Sequence, residues 1–226
     1  MASGGSGGGS GGSGGISVVS TLLDQDVEWF RANNYLPGTK LFSSNDDFQP
    51  WDFEDTGVAP NATYRGARFY AGQVGITSHF SYALPSLKSR VLFFGRFRPQ
   101  GNNFGLFMTS NPVNANGEFP NPSYLMGMQL GLPGITSYYY HGPFTQLGST
   151  DPIIYPSGLI TAPLYGFAML FDGGPGEITL FIKTASEQWW IAQRETNGSI
   201  NKVLGCGIRS DCAVFGATPQ AVYYDD

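Results

Sequence analysis

From Thr39 to residue 226 the sequence is cut into short runs of β-favouring residues by glycine, proline and asparagine, with no helical period between them. Runs of this kind fall at 39–43, 63–71, 73–84, 88–99, 103–110, 124–132, 135–141, 158–163, 165–172, 177–184, 188–195, 202–208 and 212–217, with 221–225 as an expected final edge. Spacings of about 10–15 residues without intervening helices predict an all-β, two-sheet antiparallel sandwich rather than a parallel α/β sheet. Alternation is visible inside single runs. Ile178, Leu180 and Ile182 share one side, Thr179, Phe181 and Lys183 the other; Val91, Phe93 and Gly95 likewise oppose Leu92, Phe94 and Arg96. Strands apolar on both sides are central, or have their second surface covered. The DGGPGE stretch at 172–177 has the glycine and proline that a hairpin turn demands. The long polar loop 110–123 is of the kind that carries function or presses against something.

The chain before Thr39 is different in kind. Residues 1–15 read MASGGSGGGSGGSGG, which can bury no side chain. Two readings stand: a flexible tether or linker, or a tract held by neighbours, since glycine recurs at 5, 8, 11 and 14. Residues 16–38 carry the one convincing helical period. Ser20 suits an N-cap and Asp24 the first turn. Leu22, Leu23, Val27 and Phe30 form one apolar face, an expected anchoring or oligomerisation surface, and Asn33-Asn34 then Pro37-Gly38 stop the helix. The expected organisation is therefore a Gly/Ser-rich extension at 1–15, a short amphipathic helix at 16–38 and a single β-sandwich domain at 39–226.

Charge narrows the partners. With 12 Lys+Arg, 17 Asp+Glu and charged residues at only 13%, the chain has no basic block for nucleic acid or for an anionic membrane surface. No apolar run reaches the roughly 18 residues of a membrane helix. The start shows no charged-then-apolar secretion signal, so neither secretion nor membrane insertion is expected. Aromatics at 15% are too many for a core alone, and a surface this poor in charge suits an assembly.

Catalytic chemistry finds little support. Asp24, Asp26 and Glu28 alternate, but on a helix two-residue steps diverge by about 200°, so they read as a solvated face. Asp46, Asp47, Asp52, Glu54 and Asp55 read as an acidic loop of solvated turns, and Asn114-Ala115-Asn116-Gly117-Glu118 lacks the carboxylates of a calcium loop. His79 and His141 are isolated, and no G-x-S-x-G elbow or phosphate loop occurs. No catalytic residue, metal site or cofactor is expected. Cys206 and Cys212 bracket GIRSD; a bridge between strand ends and a pair of reduced buried thiols both remain open. Asn61-Ala62-Thr63 and Asn197-Gly198-Ser199 match the glycosylation sequon. The functional handle is aromatic: Tyr138 and Tyr140 share one strand face, Trp189 and Trp190 split between faces, and Trp51 lies in a loop. Tyr138, Tyr140, Trp189 and Trp51 are the candidate ligand-binding residues, because aromatic platforms stack on sugar rings and also build subunit interfaces.

Two stretches of the chain carry a resemblance. GRFRPQGNNFGLFMTS and the later YGFAMLFDGGPGEITLFIKTASEQWWIAQ resemble the concanavalin A-like lectin/glucanase sandwich, including its laminin-G-like and SPRY-like branches, over residues 85–195. The short SGLITAPLYGFAMLF also resembles the complement-type globular head. Low charge, Gly/Asn/aromatic richness, a glycine-rich start, a short helix and a sandwich together resemble bacteriophage virion appendages: fibre tips, head fibres and decoration proteins. The resemblance implies a non-enzymatic virion protein displaying a lectin-like sandwich for host-surface or glycan attachment. Its partners would be other virion proteins of capsid or tail, reached through the N-terminal segment. A homo-oligomer, expected as a trimer, and a host glycan complete the expected partners. The alternatives are a freestanding carbohydrate-binding module and a glycoside hydrolase on the same fold.

Overall fold

The computed structural model describes residues 22–43, 52–55, 63–65, 68–71, 78–99, 104–111, 122–128, 135–141, 144–149, 165–183, 188–210 and 214–226. Among the described residues, one helix, α1 (Leu22–Ala32), precedes fifteen strands. These are β1 (Thr39–Ser43), β2 (Asp52–Asp55), β3 (Thr63–Arg65), β4 (Arg68–Ala71), β5 (Ser78–Lys88), β6 (Arg90–Pro99), β7 (Phe104–Thr109) and β8 (Ser123–Met128). They continue as β9 (Ile135–Tyr140), β10 (Phe144–Ser149), β11 (Tyr165–Asp172), β12 (Glu177–Lys183), β13 (Trp190–Thr196), β14 (Val203–Ser210) and β15 (Val214–Asp225). All described pairings are antiparallel. One sheet, here sheet A, runs β13-β12-β11-β6-β15-β4-β3 with β1 also on β15; the other, sheet B, runs β10-β9-β8-β7-β14-β5-β2.

The expected two-sheet antiparallel sandwich is thus the observed fold. Its main core lies between the sheets. Val91, Phe93, Phe167, Met169, Phe171, Ile178, Leu180 and Ile182 from sheet A meet Tyr82, Leu84, Leu106, Met108, Tyr124, Val203, Cys206 and Ile208 from sheet B. The alternation read in β6 and β12 is the cause: every second residue enters this layer.

The other face of sheet A carries a second apolar layer of Leu92, Phe94, Ala168, Leu170, Phe181, Trp189 and Ala221. What covers it is α1 of the same chain. Phe30 is fully buried there, with Val27, Trp29, Tyr35 and Leu36 packed around it. Ring centroids place Phe30 5.1 Å from Phe94, 5.5 Å from Phe181 and 5.0 Å from Trp189. The expectation that Phe30 serves a subunit contact is therefore corrected: with no exposed area, its ring is committed to its own sheet. Val27 is half-buried against the same layer. Leu22 and Leu23 form the first residues of α1.

The helix stops where the asparagines predict. Asn34 has φ 62°, and the Tyr35 and Leu36 amides donate to the Phe30 carbonyl at 2.9 and 3.2 Å, while the Asn34 amide donates to Arg31 at 3.1 Å. This αL closure satisfies the last carbonyls and turns the chain back to the sheet. Arg90 then donates to the Asn34 carbonyl at 2.6 Å, and the Gly38 amide to Asp225 at 2.6 Å, fixing the exit of α1 to the start of β6 and the end of β15.

Several strand expectations change. Residues 63–71 form a hairpin, β3 and β4, rather than one strand. Residues 214–225 form one strand, not an inner strand and a final edge. β15 lies centrally, pairing with β6 along its length and with β4 and β1 on its other side. Its ladder on β6 skips between Ala217 and Gln220, so Pro219 sits in a bulge where no ladder amide is required. Asp52, Glu54 and Asp55 belong to edge strand β2, not to a loop, and β10 was unforeseen. The expected strand at 158–163 and the N-cap Ser20 lie outside the described residues.

Candidate functional site

The two outer faces of the sandwich differ, and the difference begins with one carboxylate. Asp26 lies within the apolar stripe of α1, four residues before Phe30, and is 1% exposed. Its Oδ1 accepts from Lys183 Nζ at 2.8 Å, Trp189 Nε1 at 2.9 Å and Arg96 Nη2 at 2.9 Å; Oδ2 also accepts from Arg96 Nη2 at 2.9 Å. β6 supplies Arg96, β12 supplies Lys183, and Trp189 stands just before β13. Strand β11 runs between them, with Gly166 in register with both Arg96 and Lys183. A Cβ at Gly166 would lie 2.7 Å from the Trp189 ring, so glycine leaves the space in which the indole lies. The two cations also sit over that ring, at 5.8 Å for Arg96 and 6.0 Å for Lys183.

This constellation holds α1 on sheet A. Charge-assisted bonds to a buried carboxylate are strong in a low-dielectric site and costly to leave half-made. Asp26 is thus not part of a solvated helix face, while Asp24 and Glu28 are exposed. Trp189 is 3% exposed, which corrects its reading as an open ring platform. It and Trp190 do take opposite sides of the sheet, Trp190 packing on the main core.

Sheet B carries the other outer face. Tyr139 packs against the main core, so Tyr138 and Tyr140 occupy the alternate register positions of β9. Tyr138 pairs with Leu125 of β8 and Gln146 of β10; Tyr140 pairs with Ser123 and Phe144. The same cross-strand row continues from Leu125 to Phe107 of β7, Gly207 of β14 and Ser81 of β5. Phe107 alternates with core residues Leu106 and Met108 yet is fully buried, so the centre of this face is covered. At the β9–β10 end Gln146, in register with Tyr138, is exposed, as are His141 and Thr145 on the Tyr139 side, and on β5 Ala83, Pro85, Ser86 and Leu87 are exposed as well. The structure thus brings Tyr138 and Tyr140 to one rim and removes Trp189 to the opposite sheet. Trp51 lies outside the described residues.

Cys206 is a free, fully buried thiol in the main core. Of the two alternatives left by the sequence, the described half is the reduced one; Cys212 lies outside the described residues. Burial pushes the Cys206 thiol far above its ordinary range. Burial also raises Tyr124, against the opposing effect of the Ile200 amide, which donates to its hydroxyl at 3.1 Å. Both groups stay neutral in the folded chain while the unfolded chain ionises from the ordinary values of 9.0 and 10.0. Above those values the unfolded state binds fewer protons, so stability falls as pH rises and is intact below them. The contribution of these two groups to urea midpoints should be constant below about pH 8 and decline above it. Cys206→Ala should delay the decline to the tyrosine range. A thiol reagent should label Cys206 only on unfolding.

Among the described residues, no group of three or more His, Cys, Asp or Glu side chains converges on a metal position, and no helix is long and apolar enough to cross a membrane.

Among the described residues, two antiparallel sheets with one short helix form a β-sandwich of the concanavalin A-like fold. The metal-free lectin I-B4 from Griffonia simplicifolia superposes with a TM-score of 0.58 at 8% identity, covering 82% of this chain and 99% of that one. The lectin from Bauhinia forficata, solved with GalNAc, gives 0.58 at 10% identity over 83% of this chain and all (100%) of that one. The exoplasmic/lumenal domain of VIP36 in its Ca2+/Man-bound form gives 0.58 at 10% identity, covering 80% of this chain and 86% of that one. No protein-family model and no curated protein sequence matches the chain. Identities of this size establish a shared fold.

Proposed function

We propose that this chain is a non-enzymatic, lectin-like attachment domain that presents the β9–β10 rim of sheet B to a surface glycan. One observation carries the reading: the helix covers the centre of sheet A's outer face and buries Trp189, while Tyr138 and Tyr140 keep the outward register positions of β9 beside exposed Gln146. Exposed Gln146, in register with Tyr138, sets a hydrogen-bonding amide beside the tyrosine positions, the mixture of aromatic and polar groups that sugar recognition uses. The buried carboxylate of the described chain is saturated by three donor side chains on α1's docking face, which leaves it no role as an acid or base. Solved relatives of the same fold include one with GalNAc and one with mannose bound.

The setting proposed for this domain is a virion appendage. The Gly/Ser-rich segment ahead of α1 would link the sandwich to capsid or tail proteins, with a homotrimer as the assembled state. The low charge and aromatic abundance support that setting. A freestanding carbohydrate-binding module is the competing reading, and light scattering separates them: a monomer at all concentrations sinks the virion assembly.

The binding reading is tested on a glycan array with the full chain and its Tyr138→Ala/Tyr140→Ala variant. Ring contacts are worth about 0.5–1.5 kcal/mol each, so the double change should weaken retention by roughly fivefold to a hundredfold. An unaltered unfolding midpoint would serve as the control for folding. Unchanged glycan retention would reject this rim as the contact surface.

A further inference from the structure

We propose that Asn197 is a self-modification site, at which the folded chain converts this asparagine to isoaspartate through attack by the Gly198 backbone nitrogen. The loop between β13 and β14 turns through Asn197-Gly198-Ser199. Gly198 adopts φ 70°, is exposed, and has open space around its Cβ direction. With no side chain to obstruct it, its nitrogen can approach the preceding side chain as no other residue would permit.

The electrophile is already held in place. The Ser199 amide donates to Asn197 Oδ1 at 3.0 Å, and the Ser199 hydroxyl donates to the same oxygen. Two donors on one carbonyl oxygen fix the side-chain amide on the C-terminal side of Asn197, toward the Gly198-Ser199 backbone. They also stabilise the negative charge that develops on Oδ1 when Cγ is attacked, as an oxyanion hole does. The nucleophile is held loosely. The Gly198 amide reaches the Gly176 carbonyl only at 3.5 Å, while the Asn197 amide makes the shorter bond to that carbonyl at 3.1 Å. The Gly198 proton is therefore the more weakly held of the two and the one solvent hydroxide removes more readily, while the Asn197 backbone stays fixed.

The step balances without an added reagent other than water. The Gly198 nitrogen forms a bond to Cγ, the Cγ–Nδ2 bond breaks, and ammonia leaves with the proton the nitrogen gave up. The resulting cyclic imide is opened by water at either carbonyl, giving aspartate or isoaspartate. Isoaspartate adds a methylene to the main chain at a tight spot: a Cβ on Gly176 would lie 2.7 Å from the Gly198 Cα. The product would therefore loosen the contact between this loop and the β11–β12 turn.

The test follows the intact full chain, incubated at mildly alkaline pH, by peptide mass mapping and isoaspartyl-methyltransferase labelling. Conversion at Asn197 should run several-fold faster in the folded chain than at the same residue in urea. Ser199→Ala should slow the folded-state reaction several-fold, and Ser199→Thr should restore it. The same Asn-Gly dipeptide at Asn116-Gly117 in the urea sample gives the rate set by sequence alone. Slower conversion when folded than in urea would overturn the proposal, because the fold would then protect the site. An Ala variant as fast as the parent would do so too, and so would a glycan on the Asn197 sequon.

Discussion

Asp26→Ala is expected to cost the fold about 3–5 kcal/mol, the usual penalty for removing one partner of a buried ion pair. The loss is large because the partners cannot leave. Arg96 is 6% exposed and is fixed on a central strand, and Lys183 and the Trp189 nitrogen lie beside it under the same helix. Truncation would strand two cations and an indole donor beneath an apolar layer. Asp26→Asn keeps the shape but loses the charge, so it should fall between the parent and Asp26→Ala. A combined Asp26→Leu, Arg96→Met, Lys183→Met chain should recover most of the loss, because a buried ion cluster replaced as a whole by apolar side chains is often neutral. Urea unfolding midpoints at constant slope measure all three. A single Asp26→Ala change within about 1 kcal/mol of the parent would mean that α1 contributes little to the folded unit.

Asp26 also shows where the sequence was legible and where it was not. The amphipathic helix could be read from Leu22, Leu23, Val27 and Phe30, and its end from Asn33-Asn34, because these depend on neighbours in the chain. The role of Asp26 depends on residues 70, 157 and 163 positions away, which no local period reveals. One signal was present: Asp26 sits on the apolar stripe, three residues after Leu23 and four before Phe30, where a solvated charge does not belong. A second was that β6 and β12 were apolar on both sides, which required a cover. The sandwich itself was legible because alternation in β6 and β12 is a two-residue property. β15 was not, because Pro219 reads as a strand breaker until the bulge that accommodates it is known. β2 was hidden by its acidic sequence DFED, which suits an edge strand as well as a loop. The burial of Trp189 was not legible, because alternation gives the side of the sheet but not what lies over it.

Phe30→Ala is expected to destabilise the protein by about 3–5 kcal/mol, the range for removing a fully buried phenylalanine. Its ring fills the space between Phe94, Phe181 and Trp189, and the helix above is held at its other end by Asp26 and at its exit by Arg90. Those ties limit collapse onto the vacated volume, which places the cost toward the upper part of the range. The change also separates two uses of this helix. Docked on its own sheet, Phe30 contributes to stability within one chain, so the loss should be the same at every protein concentration. Were the apolar face an interface between copies, the midpoint of the parent chain would rise with concentration by mass action, and Phe30→Ala would remove that dependence. The two substitutions should also fail to add. Once either has released α1, the other has less left to remove, so Asp26→Ala combined with Phe30→Ala should cost less than the sum of the single changes. Strict additivity would show that the carboxylate and the ring stabilise separate units. The helix would then have to be treated as two independent contacts rather than as one element clamped at both ends.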